Sequence, residues 1–126
     1  MKKVRVGIIG TSWWADAMYL PSLAGTTKAI VTACCGRNGE RARKLAGIWN
    51  IPKIFTDWQT MLDEEPLDAL IISTPNDTHC PITLAALEKG LHVLCEKPLA
   101  LNYADARKMA EAAKAHQAVT MVPFTY

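Results

Sequence analysis

Two short stretches hold the residue types that could do chemistry on a phosphate- or oxygen-bearing ligand. The first is Gly10-Thr11-Ser12-Trp13-Trp14-Ala15, and the second is Cys95-Glu96-Lys97-Pro98. Gly10 follows the β-branched run of Val4, Val6, Ile8 and Ile9 directly, and a helical pattern starts near Trp13. Strand, glycine turn and helix in that order suit a dinucleotide's pyrophosphate. The glycine allows a tight turn, and the helix N-terminus aims free N–H groups and a positive dipole end at the phosphates. Against the pattern G-x-G-x-x-G/A, Gly10 fills the first position and Ala15 the permitted third. Ser12 replaces the middle glycine and brings a Cβ where the backbone would approach the ligand. The alternative is an ordinary βα turn with Ser12 as N-cap. In the second stretch, Lys97 follows a buried apolar strand, at the edge where open α/β sheets take their ligands. An ammonium there can hold an oxygen by charge-assisted hydrogen bonding. The alternative is a solvated loop lysine.

These stretches need elements to position them. A helix is expected from Trp13 through Leu20, broken at Pro21, which starts a further turn. Lys28–Cys35 reads as a second strand, continuous and β-branched as if buried on both faces. Gly36-Arg37-Asn38-Gly39 is a turn cluster, and Glu40–Trp49 is a helix with Ala42, Leu45, Ala46 and Trp49 on one face. A short strand at Ile54-Phe55 precedes a small helix, Trp58–Asp63, capped by Asp57.

Leu67–Ser73 is a fourth, buried strand. Pro81 belongs in the first turn of the next helix, which puts the N-cap near Thr78; that helix runs to Lys89 and stops at Gly90. Leu91–Cys95 is a fifth strand. Asn102 caps a helix over Tyr103–His116 with Ala106, Met109, Ala110 and Ala113 on one face, and Val119–Phe124 is a sixth strand. Strands alternating with crossover helices predict a Rossmann-type, doubly wound parallel sheet in the order 3-2-1-4-5-6.

The totals narrow the field. With 126 residues, half of them hydrophobic, the chain is one domain with a core. A net charge of +2 without a basic cluster argues against nucleic acid as partner. Cys34, Cys35, Cys80 and Cys95 form no C-x-x-C pair and no zinc spacing, and read as reduced thiols of a cytoplasmic protein. No metal site is expected. Met1-Lys2-Lys3 resembles the start of a signal peptide, but Arg5, Gly7 and Gly10 interrupt the apolar stretch behind it, and no run has the length of a membrane span.

Three motifs now stand in order: GIIGTSWWA, STPNDTH at 73–79, and CEKPLA at 95–100. Together they resemble the N-terminal cofactor domain of the glucose-fructose oxidoreductase / inositol dehydrogenase family, the Gfo/Idh/MocA oxidoreductases. The likeness covers essentially the whole chain, including the terminal MVPFTY. It implies hydride transfer between NAD or NADP and a carbinol carbon of a sugar, cyclitol or related substrate. It also implies a second domain that supplies most of the substrate pocket and a catalytic histidine, neither present here, and a homo-oligomeric parent enzyme. The chain alone is then expected to bind dinucleotide weakly and to turn over no polyol.

The resemblance assigns roles residue by residue. Lys97 would hold the substrate oxygen and stabilise alkoxide character as hydride moves, alongside the missing histidine. Glu96 either orients Lys97 by ion pairing or is a plain surface carboxylate. Thr74, Pro75, Asn76 and His79 lie at the nicotinamide end, with Pro75 against the ring and Asn76 near the ribose. His79 has a structural alternative, packing and helix capping. For Trp13 and Trp14 the residues themselves predict simple packing; the alternative puts one on the crevice and the other in the core.

Cofactor choice follows from the residues themselves. An NAD site places an acidic residue near the end of the second strand for the ribose 2′-hydroxyl. No Asp or Glu lies between Asp16 and Glu40; Cys34-Cys35-Gly36-Arg37 stands there, with Arg41 four residues on. A guanidinium fork grips a 2′-phosphate that a carboxylate would repel. NADP is therefore expected over NAD. The competing classes are a non-catalytic dinucleotide sensor or scaffold, which has no need of Lys97, and a methyltransferase-type domain, which has no use for Glu96-Lys97-Pro98.

Overall fold

A computed structural model describes residues 2–124; Met1 of the N-terminal run and the last two residues of MVPFTY lie outside the described residues. Six parallel strands build the sheet: β1 (Val4–Ile9), β2 (Ala29–Cys35), β3 (Lys53–Phe55), β4 (Ala69–Ile72), β5 (His92–Cys95) and β6 (Thr120–Met121). Their order is β3-β2-β1-β4-β5-β6, the doubly wound order expected. Period-two alternation splits the core between the two faces. Ile9, Cys35 and Ile72 point to one face, under α4 (His79–Glu88) and α5 (Tyr103–Ala115); Ile8, Cys34 and Ile71 point to the other, under α1 (Leu20–Ala24) and α2 (Gly39–Trp49). A fifth helix, α3 (Trp58–Glu64), adds Met61 and Leu62 to the first face.

Capping follows side-chain chemistry. Asn38, Asp57 and Asn102 each accept the backbone N–H of the residue three places on: Arg41, Thr60 and Asp105. Gly90 ends α4 at φ +80°, the left-handed stop that glycine takes without a Cβ penalty.

Four expectations need correction. The first concerns Pro21. The helix does not break there but runs through a π turn at Ala15–Tyr19 straight into α1, with Pro21 in the first turn. Leu20 N–H donates to Ala15 O, five residues back. This widened turn passes the missing donor and the ring through the helix without the usual clash. Second, β2 is buried only in its second half; Ile30 is 45% exposed near the strand's start. Third, β6 spans two residues rather than six. Fourth, Ala110 is exposed, and of the expected α5 face only Met109 is fully buried.

Two ties brace the frame. Trp49 Nε1 donates to Asp16 Oδ1 at 2.7 Å, joining α2 to the first helix. Arg5 forks onto Asp68 through Nε at 3.1 Å and Nη2 at 3.0 Å, and its backbone N–H adds a third bond at 2.8 Å. The Arg5 side chain, then its N–H, hold the Asp68 carboxyl well below the usual carboxylate range. A folded-state value below the unfolded one stabilises above the unfolded value, about 3.9, and the contribution drains away as pH falls through the folded one. Urea midpoints measured against pH should therefore fall less steeply below about pH 4 in Asp68→Asn than in the parent. Parallel curves would refute that assignment.

Candidate functional site

The site is built where β1 and β4 end, at the point where the strand order reverses. Gly10 turns the chain out of β1 at φ +110°. Its N–H donates to Cys35 O at 2.8 Å, and Ser73 N–H donates to Ile9 O at 2.8 Å. Three strand ends are thus drawn together around one residue. A Cβ on Gly10 would stand 2.0 Å from Ser73 O, so the approach is open to glycine alone. Ala15 is fully buried against the sheet, the close helix–strand packing that the third position of the fingerprint requires. The exposed Ser12 replaces the middle glycine without closing the cleft.

Two clefts flank this turn. One, of about 510 Å³, is lined by Gly10, Thr11, Gly36, Arg37, Arg41 and Asp57. The other, of about 470 Å³, is lined by Trp13, Trp14, Asn76, Glu96 and Lys97. Ser12, Ser73, Thr74 and Pro75 line both. Paired cavities across one glycine turn, with guanidinium groups in one and an ammonium in the other, fit the two halves of a phosphorylated dinucleotide.

Of the residues given a cofactor or catalytic role from the sequence, Ala15 and His79 alone line neither cleft. His79 is fully buried behind the wall. Its Nδ1 lies 2.8 Å from Pro98 O and its Nε2 2.9 Å from Thr74 O. The ring is therefore placed for holding loops rather than for touching a ligand. Trp13 is 71% exposed at the rim, and Trp14 is half-buried beside it, their ring centroids 5.6 Å apart.

Glu96 departs from expectation. Its carboxylate does not pair with Lys97. It accepts Trp14 Nε1–H at 3.2 Å and the Tyr19 hydroxyl. The π turn makes this possible. Five residues along an α-helix at about 3.6 per turn put side chains roughly 140° apart, whereas an i→i+5 turn brings them back to one face. Burial, then the Glu96 hydrogen bond, raise the Tyr19 phenol well above its ordinary value, so it serves as a donor. Lys97 is exposed and makes no ion pair or hydrogen bond within the described residues. No signal in the sequence pointed to Tyr19, because its partner lies 77 residues away.

Other chemistries find little support. Burial pushes the Cys34 thiol up to about 11, Cys35 to about 12 and Cys95 to about 11, which leaves them protonated and inert. Among the described residues, no three His, Cys, Asp or Glu side chains gather to hold a metal ion, and no helix is long and apolar enough to cross a membrane.

Residues 4–124 match the family model GFO_IDH_MocA, described as an oxidoreductase family with an NAD-binding Rossmann fold. The chain is 38% identical over 118 residues to a scyllo-inositol 2-dehydrogenase (NADP(+)), IolU, of Bacillus subtilis, covering 94% of this chain and 36% of that protein. It superposes on a myo-inositol 2-dehydrogenase from Lactobacillus plantarum with a TM-score of 0.90 at 26% identity, over 97% of this chain and 36% of that one. It matches a 3-ketoreductase from Actinomadura kijaniata, solved with TDP-benzene and NADP, with a TM-score of 0.90 at 27% identity, over 98% of this chain and 39% of that one. The chain thus spans little more than a third of these relatives.

Proposed function

Because this chain belongs to the Gfo/Idh/MocA oxidoreductases, we propose that it is the dinucleotide-holding domain of a dehydrogenase or reductase acting on a carbinol carbon of a sugar, cyclitol or related polyol. The observation that carries the reading is the pair of clefts meeting at Gly10, with Arg37 and Arg41 lining one and Lys97 the other. The Gly10 turn and the helix behind it hold the pyrophosphate. Pro75 and Asn76 bound the nicotinamide half. Lys97 holds the substrate oxygen and stabilises negative charge that develops on it. The nicotinamide, when bound, supplies the hydride acceptor or donor. Residues 1–126 contribute this half of the site, and a further domain of a homo-oligomeric enzyme contributes the substrate pocket and the proton acceptor. Free thiols, buried at Cys34, Cys35 and Cys95 and half-buried at Cys80, agree with a reducing cytoplasm.

NADP is the preferred cofactor. Arg37 and Arg41 present two guanidinium groups where a 2′-phosphate would lie, and the inositol dehydrogenase and the ketoreductase are named with NADP. A charge-assisted hydrogen bond contributes about 1.5–3 kcal/mol. Titrating the chain with NADPH and NADH tests both claims. NADPH should bind more tightly, and Arg37→Glu should weaken NADPH at least about tenfold with little change for NADH. Equal or tighter NADH binding by the parent overturns the cofactor choice. Binding of neither overturns the reading.

A further inference from the structure

His79 is the first residue of α4 and among the most deeply buried polar side chains of the molecule, at 0% exposure. Neither cleft touches it, so burial of a polar ring there needs another reason. The reason lies in what its two nitrogens meet. Nε2 reaches Thr74 O, five residues back in the loop after β4, and Nδ1 reaches Pro98 O, nineteen residues on in the loop after β5. The first loop carries Pro75 and Asn76, and the second carries Glu96 and Lys97. Both loops line the 470 Å³ cleft. Both partners are carbonyl acceptors, so the two bonds form together on a ring that carries a proton at each nitrogen, and such a rigid ring fixes the separation of the two loops. A flexible side chain of the same polarity would hold one or the other.

Glu96 is tied to the first helix through Trp14 and Tyr19, and Pro98 is tied to α4 through His79. The backbone on either side of Lys97 is thus pinned from two directions while its ammonium stays free. We propose that His79 is a positioning residue that sets the width of the nicotinamide-side cleft by spanning the gap from Thr74 O to Pro98 O, and so aims Lys97 at the reacting centre. The inference rests on the dinucleotide reading above.

The test compares two probes on the 126-residue chain. NADPH needs both clefts, whereas 2′,5′-ADP occupies only the Arg37 side. In His79→Ala the NADPH dissociation constant should rise about tenfold, the order of effect a displaced wall has on a positioned ligand. Binding of 2′,5′-ADP should change less than about twofold. Added imidazole, which fits the vacated space, should restore most of the lost NADPH affinity and leave 2′,5′-ADP unaffected. His79→Gln keeps a donor and most of the volume; it should fall between parent and His79→Ala, and it decides the matter in the same way where His79→Ala does not fold. Equal weakening of both probes, or unchanged NADPH binding, overturns the inference. A parent chain that binds neither probe overturns the dinucleotide reading and this inference with it. A parent that binds both beside an indifferent variant overturns this inference alone.

Discussion

Gly10→Ala should cost the protein its dinucleotide binding and a large share of its stability. The added Cβ would lie 2.0 Å from Ser73 O, 2.6 Å from Ser73 C and 3.3 Å from Ser73 Cα, all backbone atoms. Nothing flexible can move aside. Gly10 is held by its bond to Cys35 O and Ser73 by its bond to Ile9 O, so parting the two breaks the ladder at both sides of β1. The residue also sits at φ +110°, where a side chain adds strain of about 1–3 kcal/mol. Overpacking contributes about 1–3 kcal/mol more. A total near 4 kcal/mol is about a quarter to four-fifths of a typical domain's stability of about 5–15 kcal/mol. Gly36 makes the useful contrast. Its Cβ would meet the Thr11 side chain at 2.5 Å, and that side chain belongs to a loop that can shift. Urea unfolding of the two alanine variants side by side decides the point. A midpoint for Gly10→Ala equal to that of Gly36→Ala would show that the turn tolerates a side chain.

The largest effect on chemistry is expected at Lys97. In an enzyme that joins this chain to a substrate domain, Lys97→Met should lower kcat by about a thousandfold, the upper range for removal of one donor to a developing oxyanion. The dissociation constant of NADPH should stay within about twofold. Glu96 decides how much charge Lys97 can offer. Had that carboxylate paired with Lys97, the ammonium would reach a substrate already neutralised. Trp14 and Tyr19 hold the carboxylate instead, so the full charge is available to an oxygen. The same charge disfavours a cationic ring beside it. The isolated chain should therefore bind the reduced cofactor better than the oxidised one, and Lys97→Met should narrow that preference by about threefold or more. Wild-type turnover by Lys97→Met would remove the residue from the chemistry. An unchanged preference between the two redox forms would place the ammonium away from the nicotinamide.

Local chemistry made much of this legible. The caps at Asp57 and Asn102, the stop at Gly90 and the alternation of apolar strands with helices depend on neighbours within a few residues, and all stand where the sequence puts them. Strand order followed because right-handed crossovers leave few alternatives. What was hidden depends on partners far along the chain. The Glu96 carboxylate finds Trp14 and Tyr19 from 82 and 77 residues away. His79 reads as a ligand candidate beside Thr74 and Asn76 until Pro98 O is brought against its ring. The π turn was invisible because Pro21 signals a break in any scheme that counts only α-helical turns. Its reason is tertiary.

That turn has a mechanical corollary. On one flank Asp16 takes the Trp49 indole; on the other Trp14 and Tyr19 grip Glu96. A single short helical segment therefore rivets the β2 wing of the sheet to the β5 wing across the seam where the strand order reverses. For the seam to gape like a book, the bonds of one flank or the other would have to break.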